Sequence, residues 1–190
     1  MPGVLGCCAI QSAEARFGQY LKNIGIVYGP VFRSPTATGQ AWELSYDRSA
    51  RSCIHRSRFW GVGLGAERLG QGNSWLYSAR VSMSPYRILI SRRISALTLV
   101  SMRVGRWSSE GGVSDLVRPE IGLQFMSYNT VLSPKLAVYY GRDIPIGRST
   151  AENGYVLPSS ALTVQVGITV NIGSLAAKWR RSKAERTSAG

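Results

Sequence analysis

The feature that most constrains this chain is a two-residue alternation that returns eight times. In 23–33, Ile24, Ile26, Tyr28 and Phe32 alternate with Asn23, Gly25, Val27, Gly29 and Val31. In 40–48, Trp42, Leu44 and Tyr46 oppose Ala41, Glu43, Ser45 and Asp47. In 57–67, Trp60, Val62, Leu64 and Ala66 oppose Phe59, Gly61, Gly63 and Gly65. The pattern recurs over 73–83, 95–106, 117–127, 135–143 and, most cleanly, 162–173. Alternation of this kind describes a strand with two unlike faces. The connectors are rich in turn residues, such as Leu69-Gly70-Gln71-Gly72 and Ser109-Glu110-Gly111-Gly112. No helical segment separates the strands, which excludes a parallel sheet. Eight antiparallel strands close naturally into an up-and-down barrel that has no exposed edge.

Face chemistry decides which side is inside. One face carries Trp, Tyr, Val, Ile and Leu with almost no charge at mid-strand. The other mixes glycine and serine with Glu43, Asp47, Glu67, Arg80, Arg103, Arg118, Glu120 and Lys135. A soluble ligand-binding barrel would turn the apolar face inward, and a transmembrane barrel turns it outward. Glycine on a solvated strand face only weakens the strand, whereas a narrow lumen needs small residues beside long ones. The expectation is therefore an all-β, eight-stranded transmembrane barrel. Its lumen network would pair Arg80, Arg103, Arg118 and Lys135 with Glu43, Glu67 or Glu120. Phe59, Leu76, Leu97, Leu99, Met126 and Tyr139 share the inward face and would fill it against free conduction. With a periplasmic N-terminus, Phe32, Trp42, Trp75, Tyr77 and Tyr140 form an outer aromatic girdle, and Tyr46, Trp60 and Phe125 an inner one. Outer loops are expected at 34–39, 66–72, 107–116 and 144–159, and inner turns at 49–56, 84–94 and 128–134.

The chain resembles the small eight-stranded outer-membrane β-barrel proteins of Gram-negative bacteria. The resemblance spans about residues 20–173. It rests on the strand pattern and on segments such as Val117-Arg118-Pro119-Glu120-Ile121-Gly122-Leu123 and Val166-Gly167-Ile168-Thr169-Val170-Asn171-Ile172. It implies a bacterial outer-membrane location and a role that is structural, adhesive or complex-forming. The alternatives are a soluble ligand-binding barrel and a lipid-modifying enzyme, since some such barrels act on lipid A through a serine or histidine at the outer rim. Here the only histidine, His55, falls on the opposite, periplasmic side, and its neighbour Cys53 lacks a third orienting group. With Cys7, Cys8, Cys53 and one histidine there is no zinc spacing and no disulfide framework. Neither a catalytic group, a metal nor a cofactor is expected.

Three further expectations concern charge and termini. The net charge of +13 comes from 23 Lys and Arg against 10 Asp and Glu. Strand-end arginines (33, 48, 51, 56, 58, 92, 93, 106, 142 and 148) would reach the lipid bilayer's anionic headgroups or lipopolysaccharide. Nucleic acid is disfavoured, because no recognition helix or basic-aromatic platform is present. Residues 1–15 read as a truncated signal peptide or a disordered N-terminus, ending in Ala13-Glu14-Ala15. Residues 16–173 form the barrel, and 174–190 a basic periplasmic tail with scope for a short helix. The long 144–159 loop is the expected protein-binding element.

Overall fold

The computed structural model describes residues 20–34, 37–50, 59–69, 74–91, 94–109, 112–127, 131–146, 160–176, 178–179 and 182. Over these residues the chain forms β1 (Tyr20–Ser34), β2 (Ala37–Ala50), β3 (Phe59–Leu69), β4 (Trp75–Leu89), β5 (Ile94–Ser109), β6 (Gly112–Ser127), β7 (Leu132–Gly141), β8 (Ile144–Ile146) and β9 (Ser160–Asn171). All pairings are antiparallel. The ring runs β5-β4-β3-β2-β1-β9-β7-β6, and β6 returns to β5. The three-residue β8 pairs with β6, as β7 does, and so continues the same stave past Arg142 and Asp143. The result is a closed eight-stranded barrel whose first and last staves meet at the β1–β9 seam.

Strict alternation turns the bulky side chains outward. Ile26 is 67% exposed and Leu64 is 65% exposed, while Val27 is fully buried beside Ile26. That orientation overturns the soluble-barrel alternative, in which the apolar face lies inside. It follows from hydrophobic patterning set against lipid rather than water.

The strands run longer than the alternation alone suggests at several hairpins. Residues expected in the 107–116 loop are strand on both sides, and Ser109 pairs directly with Gly112. The 34–39 loop narrows to 35–36, which lie outside the described residues, and β3 runs through 66–69 of the 66–72 loop. At the other end, β2 takes 49–50 and β7 takes 132–134. Most of the 84–94 turn is β4, which passes a bulge between Met83 and Tyr86. The bulge accommodates Pro85, which has no N–H to give a ladder. The Tyr86 carbonyl accepts from Ser84 Oγ at 2.7 Å and from Thr98 Oγ1 at 3.1 Å. Conversely, β9 stops at Asn171, and residues 172–176 are helical, so Ile172 and Gly173 are not strand. Of the 144–159 loop, 144–146 form β8 and the rest lies outside the described residues.

Candidate functional site

The lumen is the most organised region of the molecule. Ten charged side chains are buried among the described residues, each 6% exposed or less: Arg33, Glu43, Asp47, Glu67, Arg80, Arg103, Arg118, Glu120, Lys135 and Asp143. Five are basic and five acidic.

Four of them close a ring. Arg33 pairs with both Glu67 and Asp143. Arg118 Nε donates to Asp143 Oδ1 at 2.6 Å, and its Nη1 donates to Glu67 Oε1 at 2.8 Å. A second group adjoins it. Arg103 Nε donates to Glu120 Oε1 at 2.9 Å, and its Nη2 reaches Glu43 Oε2 at 3.5 Å. Arg80 pairs with Glu43. Arg103 Nη1 lies 3.4 Å from Glu67 Oε1 and joins the two groups. Lys135 stands apart, donating to Asp47 Oδ2 at 2.7 Å and to Ser45 Oγ at 3.1 Å. Its partner is thus Asp47 rather than Glu43, Glu67 or Glu120; Glu43, on the same inward row of β2, is engaged by Arg80 and Arg103.

Register makes the arrangement asymmetric. Arg80 faces Arg103 across β4–β5, and Arg103 faces Arg118 across β5–β6. Three like charges in a row repel. Glu43 from β2 and Glu67 from β3 offset that repulsion from across the lumen. Burial of an ion pair is compensated only when every charge is paired and hydrogen-bonded, and here the pairing holds only if the barrel is closed.

Glycine provides the room. A Cβ on Gly61 would stand 2.6 Å from Asp47 Oδ1, and one on Gly63 2.5 Å from Glu43 Oε1. The Gly61-x-Gly63-x-Gly65 stripe is therefore the hollow in which the β2 carboxylates lie. A Cβ on Gly122 would meet the Tyr139 ring at 2.7 Å, so this glycine seats Tyr139.

Apolar layers lie on both sides of the charges. Phe59, Leu97, Leu99, Met126, Ala137 and Tyr139 cluster toward the end where both termini emerge. Leu76, Trp107 and Leu116 cluster toward the opposite end, with Val31, Ala41 and Ala161 nearby. Rings cap the network on each side. The Arg80 guanidinium lies 3.8 Å from the Tyr139 ring centre, and that of Arg33 lies 5.3 Å from the Trp107 ring centre.

Two members of the network, Arg33 and Asp143, fall outside the lumen set expected from the sequence, although parity carries them. Arg33 is odd like Val27 and Val31, and Asp143 is odd like Tyr139 and Gly141. The structure corrects the headgroup placement of Arg33. This arginine lies in the lumen because β1 continues past it and because Glu67 and Asp143 wait there, 34 and 110 residues away in the chain. Among the other strand-end arginines, Arg106 and Arg142 are exposed and Arg48 is half-buried. Those at 51, 56, 58, 92, 93 and 148 lie outside the described residues, as do Cys53 and His55.

On the exterior, Phe32, Trp42, Trp60, Tyr77 and Tyr140 are exposed, and Tyr46, Trp75 and Phe125 are half-buried. Tyr28, Trp42, Trp75 and Tyr77 form a continuous ladder with ring centres 5.5, 6.0 and 6.1 Å apart. The Arg68 guanidinium lies 5.7 Å from the Trp75 ring centre. Toward the terminal end, Tyr46 and Trp60 pack at 5.7 Å. An exterior this apolar, wrapped around a closed barrel, is stable only in a bilayer. The chain is a transmembrane β-barrel of the outer-membrane type.

No family model and no curated protein matches the chain. Solved structures do. Neisserial surface protein A (NspA) aligns with a TM-score of 0.54 at 11% identity, covering 82% of this chain and 98% of that one. The outer membrane enzyme PagL aligns with a TM-score of 0.46 at 12% identity, covering 79% of this chain and 99% of that one. What NspA shares with this chain is the barrel. Activity has to be read from the residues that a barrel carries.

Proposed function

We propose that this barrel is non-enzymatic and serves a structural, adhesive or complex-forming role through its outer connections, with a lumen that does not conduct. The observation that carries this reading is the closed charge balance inside. Each of the ten buried charges has its counter-charge in the same lumen. Layers of apolar side chains lie on both sides of them. Such an interior has its charges committed to one another, which suits a rigid scaffold better than a path for solutes.

The partner side of the proposal rests on the connections. Residues 147–159 form the longest connection between strands, and they follow the exposed Ile144 and Ile146 of β8. Arg68, Arg106 and Arg142 are exposed, which suits contact with anionic headgroups or lipopolysaccharide phosphates. Two measurements test the reading. Purified protein in a planar bilayer should give rare, small conductance steps at most, and a steady open pore would overturn the filled lumen. Protease added to intact cells should cut first within 147–159, and cleavage confined to the 90–93 turn between β4 and β5 would show the topology to be reversed.

A further inference from the structure

The chain does not end with its last stave. Asn171 Oδ1 accepts a hydrogen bond from the Ser174 backbone N–H at 2.9 Å, so the residue that ends β9 also caps the helix that follows. Along that helix, Ile172, Leu175, Ala176 and Trp179 fall at the i, i+3, i+4 and i+7 spacing of a single face. On this face Leu175 is 49% exposed and Trp179 is 68% exposed, while Ile172 is half-buried. It continues an established lipid-facing row, the outward Leu162, Val166 and Ile168 of β9. The accompanying sequence is basic, with Lys178, Arg180, Arg181, Lys183 and Arg186 against Glu185 alone.

We propose that this segment is a membrane-surface anchor. Ile172, Leu175 and Trp179 enter the headgroup boundary of the leaflet on the side of both termini, and the basic residues hold anionic phospholipid headgroups there. An amphipathic helix with tryptophan on one face and lysine or arginine on the other binds an interface in this way. The lipid is identified by chemistry alone: a negative headgroup over an acyl layer that takes up a short apolar stripe. The inference rests on the transmembrane reading of the barrel, and the test separates the two.

The full-length protein and its Trp179→Phe variant are reconstituted into phosphatidylcholine vesicles with and without phosphatidylglycerol, using lipids brominated near the headgroup. The difference between their emission spectra reports Trp179. With phosphatidylglycerol present, that contribution should be blue-shifted and quenched by the brominated lipid. Neutralising Lys178, Arg180 and Arg181 to Gln should reverse this, since each basic residue near an anionic surface strengthens attachment about fivefold. Emission typical of water, quenched by aqueous acrylamide in both kinds of vesicle, would overturn the proposal. Equal quenching with and without phosphatidylglycerol would overturn its anionic part. A heat-dependent gel shift on the same vesicles reports insertion of the barrel independently of the tail.

Discussion

Arg118 shows how much can hang on a single lumen residue. It holds Glu67 and Asp143 together, and both carboxylates are buried. Arg118→Met removes the cation and leaves two acids with fewer partners, a change that costs about 3–5 kcal/mol when a buried pair is broken. Urea unfolding in micelles should show a large drop in midpoint. Arg106→Ala breaks an ion pair with Asp115 that lies on the exposed exterior, and it should leave the midpoint unchanged. Equal effects would mean that the lumen charges are hydrated rather than mutually paired. Glycines divide in a similar way. A Cβ on Gly29 would overlap the Val164 carbonyl across the closing seam, and backbone cannot yield cheaply. Gly29→Ala should abolish the heat-shiftable folded band, whereas Gly173→Ala, whose nearest neighbour is 3.4 Å away, should fold normally. At this scale the sequence shows which way each side chain points, since parity alone separates Glu43 from Leu44 and Arg103 from Met102. It does not show who meets whom. Arg33 and Asp143 carry the inward parity, but each stands at a strand end, where charge ordinarily belongs to the rim. Only the closed ring brings β1, β3 and the β7–β8 junction to one place.

Strands are legible by number and face, and much less so by length. Each of the eight alternating segments is a stave, because period two is a local property. The ends are obscured where serine, glycine and proline resemble turn residues but sit in ladders. Trp107 and Leu116 keep inward parity through a stretch rich in turn residues, and they become part of an apolar layer. The β4 bulge is hidden because it reverses parity: Met83 is outward and odd, while Tyr86 and Ile88 are outward and even. That reversal makes a prediction. Deleting Pro85 removes the extra residue and restores simple alternation, so the barrel should still fold with Tyr86 outward. Deleting Ala79 instead turns one side of β4 over and drives its inward row, Arg80 among them, toward lipid. Arginine at mid-bilayer costs about 2–4 kcal/mol, before the loss of its pairing with Glu43 is counted. Gel mobility with and without heating distinguishes the outcomes, and a folded Ala79 deletion would contradict the register of β4.

For the whole molecule, the ten buried charges sum to zero, so the net charge of the protein belongs to other residues. Five of the 23 Lys and Arg and five of the 10 Asp and Glu are used inside, which leaves 18 against five in the rest of the chain. The rest of the sequence is thus basic while the interior compensates itself, and the two can be altered independently. The proposed non-conducting lumen places two apolar layers in series, Leu76, Trp107 and Leu116 in one and Phe59, Leu97, Leu99, Met126 and Tyr139 in the other. Barriers in series predict a particular pattern of failure. Trp107→Ala removes the largest side chain of the first layer and should cost about 3–5 kcal/mol of stability, the usual loss on truncating a buried tryptophan or phenylalanine. Conductance should stay at the wild-type level, because the second layer still fills the lumen. Phe59→Ala alone should behave the same way from the other side. Only Trp107→Ala combined with Phe59→Ala should give resolvable steps in a planar bilayer, and those steps should remain small while the paired charges occupy the middle. If Trp107→Ala conducts by itself, the layer nearer the termini is no seal, and the closed-lumen account of this barrel fails.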